Sequence, residues 1–142
     1  MDRDWLEKEK IATVFNCTKN LPFEPMIKRQ YRVPLDDNLQ TEEIRNMELW
    51  AMEIAYKIAT ELGRARSNGE AVLVHCHAGM QRSAGSVAIF LIATKGMKTD
   101  EAVTLIREKR PIAFRPGINF ERAIRGFEKT FEQEIRPQLR PS

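Results

Sequence analysis

Cysteine is scarce in this chain, with two in 142 residues, Cys17 and Cys76. Two thiols so far apart make no disulfide framework, which excludes the small, stapled secreted domains. Glycine and proline number seven each and are scattered, so collagen-like, linker and low-complexity architectures are excluded too. No apolar run approaches the ~18 residues that a membrane-spanning helix needs. The opening MDRDWLEKEK is charged throughout and has no apolar stretch of the kind a secretory leader carries. These absences predict a cytoplasmic address in a reducing compartment and no membrane partner. Neither sign of charge dominates: 23 Lys and Arg stand against 20 Asp and Glu, for a net +3 and a pI near 9.0. Such a balance favours anionic partners without implying a stable nucleic-acid complex.

What is present suits one soluble core. A hydrophobic content of 42% with 30% charged residues is ordinary for a globular chain of this length. The expectation is a single domain over residues 1–136 and a frayed basic tail, 137–142. Short β-branched or apolar runs at 11–17 (IATVFNC), 30–34 (QYRVP) and 71–75 (AVLVH) read as buried strands. Between the second and third, Ile44, Met47, Ala51, Ile54, Ile58 and Leu62 mark one face of a long helix capped by Thr41 and stopping near Gly63. Three more helices follow, over 83–95, over 99–109 and from about 117 to 133. Strands alternating with helices give an α/β domain with a mostly parallel central sheet flanked by helices.

The stretch AVLVHCHAGMQRSAGSVAIFLI joins a buried strand to a buried helix through a tight loop, and ligands of open α/β sheets bind at such strand ends. Successive main-chain N–H groups of His77, Ala78, Gly79, Met80, Gln81 and Arg82 can turn toward an anion there, helped by the positive end of the helix. Cys76 would sit at the floor of that cradle. A thiol with a pKa near 8.5 drops to roughly 3.5–7.5 beside a helix N-terminus or cations, and then becomes a nucleophile. Arg82 offers a fork that matches two phosphate oxygens and grips them harder as charge builds. Ser83 can donate to the sulfur as it leaves, and His75 can orient the loop through its ring N–H. Cys-x5-Arg alone recurs by chance in roughly one chain in ten of this size; adding the His, Gly and Ser lowers that to about one in a hundred thousand.

The string HCHAGMQRS resembles the HCxxGxxRS signature of protein tyrosine phosphatases, specifically the small dual-specificity phosphatases, and the likeness spans most of the chain. VPLDDN resembles the family's short strand and loop with its general-acid aspartate, and EAVTLIREKRPIAFRPGINF resembles its later helix, Arg-Pro pair and loop. The resemblance implies a protein-tyrosine-phosphatase-like fold, phosphorylated protein substrates and a two-step reaction without cofactor or metal, in which Cys76 takes the phosphoryl group and water removes it. It implies Asp37 as general acid and base, with Asp36 as a turn former. It also implies Cys17 as a redox partner that could shield Cys76 by a reversible disulfide. The family's usual Pro-Asn-x-Gly-Phe is here Pro116-Gly117-Ile118-Asn119-Phe120, and the resemblance leads to the expectation that an N-terminal strand found in many relatives is shortened or missing.

Competing readings have their own residues. Cys76 could be a small buried hydrophobe at a strand end. Cys17, His75, Cys76 and His77 could ligate a metal, although three of them are adjacent where zinc sites space paired ligands apart. A rhodanese-type sulfurtransferase or a catalytically silent phosphate-binding module would share the loop, but neither needs the aspartate. RNA 5′-ends or another polyanion are the alternative substrates, suggested by the basic run ending at Arg115. Arg107, Lys109, Arg110 and Arg115 read more simply as surface charge, and the side chains of His77 and Gln81 as loop rim.

Overall fold

β1 (Ile11–Asn16) is buried at every position, as befits a strand covered on both faces of a parallel sheet. In the computed structural model, which describes residues 2–78 and 80–139, it is the middle of three parallel strands, with β2 (Arg29–Arg32) on one side and β3 (Ala71–His75) on the other. The sheet order is β2-β1-β3, and the register sets Phe15 beside both Tyr31 and Val74. The Phe15 and Tyr31 rings stack at 4.7 Å.

Ahead of the sheet lies a short α1 (Arg3–Lys8), which the charged N-terminal sequence did not suggest; the Asp2 carboxylate caps it by accepting from the N–H groups of Asp4 and Trp5. The long α2 (Thr41–Asn68) differs from expectation at both ends. Its cap position is Gln40, with Thr41 already helical, and it continues through Gly63 to end at Gly69, whose φ of 65° is the left-handed conformation a helix terminator needs. Gly63 does not stop it because Glu61 and Ala65 carry the buried face onward on either side.

α3 (Arg82–Lys95) follows β3 and closes at Gly96; α4 (Thr99–Lys109), α5 (Glu121–Thr130), a π-helical turn (Phe131–Ile135) and α6 (Arg136–Leu139) complete the described chain. The last helix therefore starts four residues later than its apolar pattern suggested, because 117–120 form a turn. Residues 137–139 of the expected tail are helical, and 140–142 lie outside the described residues. Ala84, Ala88, Ile89 and Ile92 of α3 pack among Met47, Ile54 and Ile58 of α2 and Ile124 and Phe127 of α5, making one core. Small residues at the start of α3 let the helices approach: a Cβ on Gly85 would lie 3.0 Å from the Met47 methyl. This packing fixes the N-terminus of α3 directly behind the loop that leaves β3.

Candidate active site

β3 delivers Cys76 to the C-terminal end of the sheet, 8% exposed, and the chain re-enters helix at Arg82. The loop is pinned from behind, since the Cys17 N–H donates to the His75 carbonyl at 2.7 Å. The Cys76 Sγ lies 3.3 Å from the Ser83 hydroxyl, itself 4% exposed, so thiol and hydroxyl form a buried pair at the helix start. Arg82 is braced by Nη1 donating to the Leu35 carbonyl at 3.0 Å, while its buried Nε–H has no acceptor among the described residues. A buried donor left unmatched is costly.

A cavity of about 130 Å³ opens over this pair, lined by Cys76, His77, Ala78, Met80, Gln81 and Arg82 from the loop and by Asp37, Arg115 and Asn119 from two other segments. Roomier hollows lie elsewhere, such as one of about 290 Å³ between β2 and α2, but its lining, which includes Tyr31, Trp50 and Lys57, holds neither cysteine. Of the expected cradle, Gly79 lies outside the described residues. His77 and Ala78 are exposed, and the Ala78 carbonyl accepts from Arg110 at 3.2 Å. Met80 is half-buried, its carbonyl accepting from the Phe114 N–H at 2.7 Å.

The two aspartates diverge. Asp37 lines the cavity and its Oδ1 accepts from Asn119 Nδ2 at 2.9 Å. Asp36 is engaged away from it: its N–H donates to Glu43 at 2.9 Å and its carboxylate meets Lys19 at 3.2 Å. His75 is half-buried, and burial pulls its pKa below the ordinary histidine value while a hydrogen bond to the Cys76 main chain opposes the shift. Cys17 is fully buried, its Sγ 3.5 Å from the Ser86 hydroxyl, and burial pushes its thiol up to about 12. Cys17 and Cys76 are not joined in a disulfide.

Sequence reasoning missed three contributors. Asn119, within the rearranged motif, donates to Asp37. Gln81 turns its side chain onto 115–119 instead of the rim. Arg115, expected as surface charge, reaches the cavity, and Arg107 braces the same segment by donating to the Ala113 and Phe114 carbonyls. Among the described residues no three His, Cys, Asp or Glu side chains converge to hold a metal ion.

The profile described as "Dual specificity phosphatase, catalytic domain" matches residues 1–130. Human dual specificity protein phosphatase 8 is 25% identical over 134 residues, which is 93% of this chain and 20% of that protein. The Drosophila melanogaster dual specificity protein phosphatase Mpk3 is 28% identical over 143 residues, 98% of this chain and 32% of that protein. The crystal structure of DUSP15 superposes with a TM-score of 0.76 at 26% identity, covering 97% of this chain and 83% of that one. The chain thus spans about a fifth to a third of the length of these two full-length relatives.

Proposed function

Because the chain belongs to the dual specificity phosphatase catalytic-domain family, we propose that it hydrolyses phosphate monoesters of proteins through a cysteinyl-phosphate intermediate. Cys76 Sγ attacks phosphorus, Arg82 and the loop N–H groups hold the equatorial oxygens, and Asp37 protonates the leaving oxygen. Water then attacks phosphorus as Asp37 takes its proton, the S–P bond breaks, and Ser83 stabilises the departing thiolate. His75 orients the loop. Cys17 serves as redox partner, condensing with a Cys76 sulfenic acid to give a disulfide and water. No cofactor is required, and the working compartment is the reducing cytoplasm.

The observation that carries this reading is the meeting, in one cavity, of a Cys76 thiol 3.3 Å from a hydroxyl, a guanidinium with an unmatched buried N–H, and a carboxyl from a separate loop. The substrates on this reading are phosphotyrosine and phosphoserine or phosphothreonine alike. Cys76→Ser should abolish turnover of an aryl phosphate while vanadate still binds, because main chain and Arg82 make the cradle. Substantial residual hydrolysis would remove Cys76 from the mechanism, and loss of activity to chelators with restoration by zinc would favour a metal. Exposed Arg115 at the cavity supports a second substrate class, polyanions such as RNA 5′-ends. A panel of phosphopeptides against triphosphate-ended RNA separates the two.

A further inference from the structure

Gln81 stands immediately before the arginine clamp, where a solvated rim residue would suffice, yet it is only 4% exposed. Its amide is occupied at both ends by a single segment. Nε2 donates to the Arg115 carbonyl at 3.3 Å and the Gly117 carbonyl at 2.9 Å, and Oε1 accepts from the Asn119 N–H at 2.9 Å. A primary amide has two N–H donors and one carbonyl acceptor. Both donors and the acceptor are engaged, so the side chain has no N–H left for a phosphate. Buried and fully matched polar groups of this kind specify one arrangement, because turning the amide would orphan several partners at once.

The segment it grips has one outlet toward the chemistry. Asn119, whose N–H is held by Gln81, extends its own Nδ2 to Asp37 Oδ1 at 2.9 Å. Asp37 is exposed, on a connection without regular structure between β2 and α2. A continuous run of hydrogen bonds therefore links the loop of the nucleophile to the carboxyl on the far side of the same cavity.

We propose that Gln81 is a positioning residue for the general acid: its amide fixes the 115–119 segment so that Asn119 holds the Asp37 carboxyl at the cavity. The proposal rests on the phosphatase reading above. Gln81 then governs leaving-group protonation and leaves phosphate capture to Arg82 and the main chain.

The test compares Gln81→Ala, Asn119→Ala and the double variant of the full chain on p-nitrophenyl phosphate and on a phosphoserine peptide. With the activated ester, kcat should change less than about 3-fold, because nitrophenolate departs with little help. With the peptide, kcat should fall about 10- to 100-fold in each single variant, the range that misplacing a catalytic group costs. The double variant should be no worse than the poorer single one, as expected for residues acting in series. Inhibition by vanadate should shift less than about 3-fold. Gln81→Met, of similar length but without the amide, repeats the measurement should the alanine variant fail to fold. Equal losses on both esters, additive losses in the double variant, a matching loss of vanadate affinity, or no loss at all would each overturn the proposal. Residual turnover by Cys76→Ser would instead overturn the phosphatase reading beneath it.

Discussion

When the P–O bond of a seryl phosphate breaks, the leaving alkoxide is too basic to depart unprotonated, so which carboxyl reaches the cavity matters more than how many lie nearby. Asp37 lines the cavity under the hand of Asn119, whereas Asp36 is drawn to Lys19. Asp37→Asn should lower kcat on poor leaving groups by about 10²- to 10⁴-fold, with the deficit shrinking on an activated aryl phosphate. Asp36→Asn should spare rate and cost under about 1 kcal/mol of stability, since its ion pair is solvent-exposed. If the leaving-group-dependent loss follows Asp36 instead, the two roles are reversed. Cys17 makes a second test at this scale. Its thiol, raised to about 12, stays protonated at neutral pH and is a slow resolving group. Mild peroxide followed by mass mapping should yield a Cys17–Cys76 disulfide peptide, and a sulfinic Cys76 beside a free Cys17 would end that pairing. Cys76, Arg82 and Ser83 were legible in the sequence because their chemistry needs them within one short string. Gln81, Asn119 and Arg115 were not, because hydrogen bonds between residues 34 to 82 positions apart bring them together.

Elements were legible where burial imposes a period and less so where they stop. The three strands were found within one or two residues, but β2, expected as buried, is Arg29–Arg32, exposed at every second position and half-buried between, because it is an edge strand of polar residues. The end of α2 was misplaced because Gly63 and Gly69 look alike in a sequence, and only the backbone tells a tolerated glycine from a required one. Gly63 sits inside the helix with nothing within 4 Å of where a Cβ would lie, so it costs entropy and has no packing role. Gly63→Ala should therefore stabilise the domain by about 0.5–1 kcal/mol. Gly69, with φ at 65° and equally open surroundings, should respond the other way. A Cβ in that conformation costs roughly 1–2 kcal/mol, so Gly69→Ala should destabilise by about that much. Urea unfolding of both variants checks the pair, and shifts of the same sign would mean that the helix boundary is misassigned.

Across the whole molecule, the response of stability to pH sums every group whose protonation differs between folded and unfolded chain. At the alkaline end Tyr31 contributes. Its hydrogen bond to Glu61 raises its pKa, so the stability it adds is complete below about 10, the ordinary tyrosine value, and is lost as pH climbs through the higher folded value. Between pH 5 and 7.5 the side chains that ordinarily titrate are histidines, and the chain has two. His77 is exposed at the cavity rim, whereas His75 ends β3 and is half-buried beside Cys76. Burial lowers the His75 pKa in the folded protein, with the bond to the Cys76 main chain opposing it. As pH falls through about 6.5, the unfolded chain takes a proton that the folded protein refuses, and stability declines. The contribution is therefore complete above that value and is lost as pH drops toward the lower folded pKa. The urea midpoint of the wild type should fall between pH 7.5 and pH 5, and His75→Gln should flatten much of that fall while lowering stability at pH 7.5 through the lost ring contact. A wild-type midpoint that does not move over this range, or a slope that survives in His75→Gln, would mean that the residue beside the nucleophile is not the one coupling protons to the fold.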